Sequence, residues 1–177
     1  MFTKILIAAS LLGVPTMLAA QATPTATRKA SLQVGGGYSN ASTDYTATRA
    51  GGFNAFFDYD FFHHLGIEGE FRYVKDGETN VYQKTYEVGP RYSRTYHGRF
   101  SPYVKGMYGR GVFNFTYQKQ TTANIAYNLL ALGGGLDYTV QRHLNLRGEY
   151  EYQHWFGFLP SGLTPSAITI GAAYRFR

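Results

Sequence analysis

Eight times between Ser31 and Arg177 the chain alternates, residue by residue, between large apolar side chains and small or polar ones. Successive side chains of an extended strand point to opposite faces, so a period of two reads as a strand with one apolar face. In "FNAFFDY" one face carries Phe53, Ala55, Phe57 and Tyr59 and the other Asn54, Phe56 and Asp58. In the seventh stretch Leu144, Leu146, Gly148, Tyr150 and Tyr152 oppose Asn145, Arg147, Glu149, Glu151 and Gln153. The fifth, "SPYVKGMYGRGVF", is the least regular; Pro102, Val104, Gly106 and Tyr108 are assigned to one face and Tyr103, Lys105, Met107 and Gly109 to the other. The last, "ITIGAAYRFR", sets Ile168, Ile170, Ala172, Tyr174 and Phe176 against Thr169, Gly171, Ala173 and Arg175. Between the strands, "DFFHH", "SRTYHGR" and "TVQRH" are tight connections. "SNASTDYTATRA", "KDGETN", "QKQTTAN" and "FGFLPSGLTPS" are mostly longer and richer in turn residues. Short connections at one end and longer ones at the other imply an all-β fold, an eight-stranded antiparallel up-and-down β-barrel.

Alternation does not say which face is outside. A soluble lipid-carrying barrel turns its apolar face inward, and a transmembrane barrel turns it outward. Three features favour the transmembrane arrangement. The polar face is rich in glycine (Gly35, Gly37, Gly66, Gly89, Gly133, Gly135, Gly171), which suits an interior barely wide enough for its own side chains. Its charges are mixed: Asp58, Glu68, Glu70, Glu87, Asp137, Glu149 and Glu151 share it with Arg72, Arg91, Lys105, Arg147 and Arg175. Buried charges require partners, so these twelve are expected to form an ion network filling the lumen. Finally, Tyr38, Tyr59, Tyr73, Tyr92, Tyr138 and Tyr152 stand near strand ends on the apolar face, where amphipathic rings meet a membrane interface.

The first residues differ from the rest. Lys4 followed by "ILIAASLLG" and the small-residue site Ala20-Gln21-Ala22 read as a signal peptide over 1–22, too short in its apolar run to span a bilayer. Residues 23–30 read as a flexible lead-in and 31–177 as the barrel domain. There is no cysteine, which excludes disulfides and thiolate chemistry. The net charge of +6 is not gathered into one run, so no nucleic-acid partner is expected.

Taken together, the leader, the eight amphipathic strands and the ending resemble the small outer-membrane barrels of Gram-negative bacteria, the outer-membrane-protein-A-like and opacity-protein-like family. The most specific part of the resemblance is the terminal pattern of Thr169, Gly171, Tyr174 and Phe176, although Arg177 follows where the family usually ends on the aromatic. The resemblance implies that the barrel-assembly machinery reads this strand as an insertion signal. The family's frequent peptidoglycan-binding module is not expected, since the chain stops at the eighth strand.

Some small outer-membrane barrels act on lipid A with a His-x-Ser pair and a nearby Glu. Here His154 is followed by Trp155 and Phe156, and Glu149 and Glu151 lie beside Arg147, which suits an ion network better than a catalytic pair. His63, His64, His97 and His143 fall in separate tight connections with nothing to converge them on a metal. No enzyme activity, cofactor or metal is expected. Arg49, Lys75, Lys84, Arg110 and Lys119 fall toward the outer end, where they can meet lipopolysaccharide phosphates. The expected role is a monomeric, non-enzymatic structural or surface-interaction protein of the bacterial outer membrane, in contact with its lipid. The alternatives are a narrow porin-like channel and, further off, a soluble periplasmic lipid carrier.

Overall fold

The structure is a computed structural model that describes residues 30–44, 48–78, 81–117, 120–157 and 162–176, with side chains of 115–124 excluded. The expected signal peptide and most of the lead-in lie outside the described residues, as do Lys119 and Arg177. Eight strands follow in order: β1 (Ser31–Ser42), β2 (Ala50–Asp60), β3 (Leu65–Lys75), β4 (Tyr82–Ser93), β5 (Phe100–Tyr117), β6 (Gln120–Gln141), β7 (Leu144–Trp155) and β8 (Ser166–Phe176). Each pairs antiparallel with the next, and β8 pairs with β1 from Leu32↔Phe176 to Ser42↔Ser166, closing the sheet. Closure leaves neither end strand with unpaired backbone, which a bilayer would not solvate.

The stagger of the barrel can be read from the ladder. Partners run Ser31, Asp60, Gly66, Arg91, Lys105, Gly133, Glu151 and Ala167, then return to β1 at Ala41, ten residues beyond the start. With ordinary strand rise and spacing, that shift over eight strands tilts them by about 40° and gives a backbone radius of about 8 Å. Side chains pointing inward from such a wall meet in the middle.

The distribution of side chains is inverted relative to a soluble barrel. Ile170 and Leu132 are 71% and 70% exposed, while Arg147 and Lys105 are each 2% exposed. The outward residues of the fifth stretch, Val104 and Tyr108, are exposed, and Tyr103, Lys105 and Met107 are buried. The apolar belt ends in aromatic contacts on both sides. Toward the tight turns, Phe100 packs on Tyr138 at 5.0 Å between ring centroids and Tyr174 on Phe176 at 4.9 Å. Toward the long connections, Phe53 meets Tyr73 at 5.7 Å and Tyr73 meets Tyr82 at 5.6 Å. An exposed apolar belt closed by two such girdles is a surface for lipid.

One connection differs from its sequence reading. "QKQTTAN" is expected as a loop, but β5 continues to Tyr117 and β6 begins at Gln120, paired through Thr116↔Thr121 and Tyr117↔Gln120 beyond a bulge at Phe115/Thr116. Alternation is the signature of a strand with one lipid face. This hairpin projects past the belt, where polar residues suit both faces and the signature disappears.

Candidate functional site

The inward face builds the lumen in three zones. Nearest the tight turns is a cavity of about 380 Å³, lined by hydroxyls of Ser31, Ser93 and Ser101 and by Asp60, Arg91 and Arg175. The middle is ionic. Toward the long connections an apolar cluster of Val81, Met107, Phe113, Leu129, Ala131, Trp155 and Leu163 packs on the inner side of β5–β7, with Tyr127 against it, and a smaller one of Ala41, Ala50, Val74 and Ala167 lies on the side of β1–β3 and β8.

Four cations organise the ionic zone. The Lys105 ammonium sits among four carboxylates, with Nζ at 2.7 Å from Glu68, 2.5 Å from Glu70, 2.8 Å from Glu149 and 3.0 Å from Glu151. The last is a charge contact, because Glu151 Oε2 has no hydrogen-bond partner. Arg147 reaches Asp58 at 2.5 Å, Asp137 at 2.8 Å and Glu68 at 3.1 Å. Arg72 bridges Glu70 at 2.5 Å and Glu151 at 2.6 Å, and Arg91 holds Asp137 at 2.7 Å. Arginine serves this geometry because its planar fork donates to several carboxylates at once.

Neutral groups complete the zone. Gln33 donates to Asp58 at 2.9 Å, and Asn145 donates to Gln33 at 2.5 Å. Tyr103 donates to Glu149 at 2.5 Å, and Asn54 to Glu70 at 3.1 Å. Gln153 donates to Glu87 at 2.7 Å and accepts from the Trp155 indole at 2.9 Å, joining the ionic zone to the apolar one. Two rings act as platforms: the Arg147 guanidinium lies 3.8 Å from the Phe56 centroid and the Arg91 guanidinium 4.2 Å from that of Tyr103.

Of the twelve charges expected in the lumen, ten are joined by these ion pairs: Asp58, Glu68, Glu70, Arg72, Arg91, Lys105, Asp137, Arg147, Glu149 and Glu151. Glu87 accepts a hydrogen bond from Gln153 and forms no ion pair among the described residues, and its Oε2 has no hydrogen-bond partner there. Arg175 stands apart, contrary to its expected pairing. It is half-buried at the rim of the cavity, its Nε has no partner, and it forms no ion pair among the described residues. It pairs in register with neutral Gln33 near the end of β8, while Asp137, which also lines that cavity, is taken by Arg147 and Arg91. The neutral partners and the two ring platforms are legible only as inward positions; nothing in the sequence marks them as members of the network.

Among the described residues, Glu68, Glu70 and Glu149 form the one group whose oxygens lie close enough together for a metal, within 4.8 Å of one another. The Lys105 ammonium contacts all three, so the trio works as an ammonium cradle. The terminal pattern splits between the two faces. Thr169 points inward and shares a 2.7 Å hydrogen bond with Ser39, and Gly171 faces Gly37 across the β1–β8 seam. Tyr174 points outward, stacked on His143 at 5.5 Å. Of the outer cations, Arg49 donates to the Asn40 side chain and carbonyl, whereas Lys75, Lys84 and Arg110 lie on the outward face of β3, β4 and β5.

Comparison with known proteins agrees with this architecture. A family model described as outer membrane protein beta-barrel domain matches residues 6–176. Among solved structures, Neisserial surface protein A (NspA) aligns with a TM-score of 0.69 and 12% identity, over 83% of this chain and 97% of its own. Ail, the attachment invasion locus protein of Yersinia pestis, aligns with a TM-score of 0.60 and 23% identity, over 83% and 99%. The outer membrane protein OprG from Pseudomonas aeruginosa aligns with a TM-score of 0.62 and 15% identity, over 85% and 97%. No curated protein sequence matches significantly.

Proposed function

Since the chain belongs to the outer membrane protein β-barrel domain family, we propose that it is a non-enzymatic barrel of the bacterial outer membrane whose role is structural and surface-directed. The observation that carries this reading is the pair of apolar clusters in the outer part of the lumen, above the ionic zone. Met107, Phe113, Leu129 and Trp155 are each 0% exposed, and an apolar constriction excludes ions even where a file of water could fit. The work of such a molecule lies on its outside. The outer connections are tied to each other: Asp44 accepts from the Thr164 hydroxyl at 2.8 Å, and Thr48 donates to Asp76 at 2.9 Å. These ties join three of the four outer connections into one platform.

The same reading has the 1–22 segment direct export and the β8 strand present Thr169, Gly171, Tyr174 and Phe176 to the barrel-assembly machinery, after which the protein resides as a monomer in lipid. An enzyme reading finds little support. His154 packs edge-on against Phe156 at 5.0 Å, and Glu149 and Glu151 are both engaged by Lys105. The channel reading is favoured only by the cavity at the tight-turn end, which leads to the ionic zone.

Planar-bilayer recording tests the choice. The refolded protein is expected to show no current above background. The double variant Phe113→Ala/Trp155→Ala, which removes the two largest rings of the larger cluster, is expected to leak. Steady unitary currents from the unaltered protein would overturn the structural reading in favour of the narrow channel.

A further inference from the structure

The lipid-facing surface is not uniform. On the outward side of β1–β4 there is a groove of about 390 Å³ lined by Val34, Ala55, Phe57, Phe71, Tyr86 and Val88. Its floor exists because small residues stand where a belt of this kind otherwise carries Leu, Ile or Tyr. Ala55 pairs with Gly36 on one side and Phe71 on the other, and the Phe57 ring lies over Gly69. Its lining is almost wholly apolar, the chemistry that receives a hydrocarbon chain.

Directly above this groove the same strands turn cationic. The outward face of β3 reads Gly69, Phe71, Tyr73, Lys75 toward the outer rim, and that of β4 reads Val88, Tyr86, Lys84, Tyr82. Arg110 of β5 is the direct cross-strand partner of Tyr86. The registers Lys75↔Tyr82, Tyr73↔Lys84 and Lys84↔Val112 make the three cations successive diagonal neighbours, each step about 7–8 Å. Lys84 Nζ is held 4.9 Å from the Tyr82 ring and 5.7 Å from the Tyr73 ring, which fixes the ammonium at the interface. No ion pair joins Lys75, Lys84 or Arg110 to a carboxylate among the described residues. The acidic groups of the adjacent connection do not serve: Asp76 is buried and accepts from Thr48 and the Glu78 amide, and Glu78 forms no such pair. Three adjacent cations at a low-dielectric boundary repel one another unless an anion joins them, and phosphate oxygens are the strongest complement to an Arg–Lys group.

From the groove and the cation group together we infer a site for a phosphorylated lipid of the outer leaflet: one acyl chain lies in the Ala55–Gly69 groove and its phosphate head is bound by Lys75, Lys84 and Arg110. The occupant is an acylated, phosphorylated lipid, the chemistry that a lipopolysaccharide-type lipid presents at this boundary. A free phosphate lacks the chain the groove receives, and a neutral lipid lacks the charge the rim requires. Arg49 is not part of this site, since it is engaged by Asn40 in the β1–β2 connection. The site rests on the reading that this face meets outer-membrane lipid, and not on whether the lumen conducts.

The test is native mass spectrometry of the refolded full chain in micelles, titrated with a phosphorylated lipid A-type glycolipid and with its dephosphorylated form. The unaltered protein is expected to retain the phosphorylated form about tenfold more strongly. Lys75→Ala/Lys84→Ala/Arg110→Ala is expected to abolish that preference while retaining the heat-dependent gel shift of a folded barrel. Ala55→Leu, which fills the groove and leaves every cation in place, is expected to weaken binding of the phosphorylated lipid several-fold. Inorganic phosphate is the competing probe, and displacement of the lipid by millimolar phosphate would reduce the site to a headgroup anion site and overturn the groove. Equal retention of the two lipids, or a triple variant that still discriminates between them, overturns the whole assignment. A conducting barrel would overturn the proposed function and leave these outcomes unchanged.

Discussion

Replacing Lys105 by methionine is expected to be among the most damaging single changes to this barrel, costing about 3–5 kcal/mol. Methionine keeps nearly the length of the side chain and removes only the ammonium. That ammonium is the common partner of Glu68, Glu70, Glu149 and Glu151. Without it, Glu68 retains Arg147 at 3.1 Å, and Glu70 and Glu151 retain Arg72 at 2.5 and 2.6 Å. Glu149 keeps the Tyr103 hydroxyl and a longer 3.5 Å contact with Arg72. Four buried carboxylates then face one another at the centre of the lumen. Urea unfolding of the protein refolded in detergent, followed by tryptophan fluorescence and by the heat-dependent gel shift, measures the loss. The cause is checked by adding Glu149→Gln and Glu70→Gln to Lys105→Met. Neutralising two of the four carboxylates is expected to recover a large part of the stability, whereas a packing defect would not be relieved. If Lys105→Met alone leaves the midpoint unchanged, the lysine is not the keystone of the ionic zone.

A second large effect is expected where the sheet closes. Gly37 of β1 and Gly171 of β8 are register partners on the inward face. A Cβ on Gly37 would lie against the Ile170 carbonyl and 2.6 Å from Gly171 Cα, and one on Gly171 would lie 2.5 Å from the Gly36 carbonyl oxygen. These obstacles are backbone atoms of the seam, which cannot turn aside as a side chain can. Gly37→Val is therefore expected to cost at least the upper part of the ~1–3 kcal/mol range for overpacking, and to prevent a fraction of molecules from closing at all. The control is Gly148→Val on the outward face of β7, where a Cβ meets nothing within 4 Å. That change is expected to leave the folded fraction unaltered, because valine suits a strand and faces lipid. Equal folding yields for the two variants would show that the seam tolerates a side chain.

Much of this architecture is legible in the chain. The two faces of each strand follow from alternation, which is why Phe57 and Asp58, neighbours in sequence, separate cleanly to the outside and the inside. The inward placement of the lumen charges and the two-faced ending of Thr169, Gly171, Tyr174 and Phe176 are read in the same way. The division of the lumen is not. Lys105 and Met107 are both inward on β5, yet one is the centre of the ionic zone and the other belongs to the larger apolar cluster. Nor does alternation mark Gln153 as the link between the zones, or the continuation of β5 and β6 past the belt.

The sequence by itself determined the two-faced part of each strand, its faces and the inversion of polarity, because the direction of a side chain from an extended backbone is a local property that repeats every two residues. Only the tertiary structure decided who meets whom. Arg72 finds Glu151 and Arg147 finds Glu68, pairs each 79 residues apart, because a closed sheet staggered by ten residues sets which positions share a level. The same stagger leaves Arg175 at the rim with no ion pair among the described residues, and it brings Lys75, Lys84 and Arg110 from three strands to one corner above the groove. Closure and register are global quantities, fixed only when β8 meets β1, and they lie beyond what any single strand encodes.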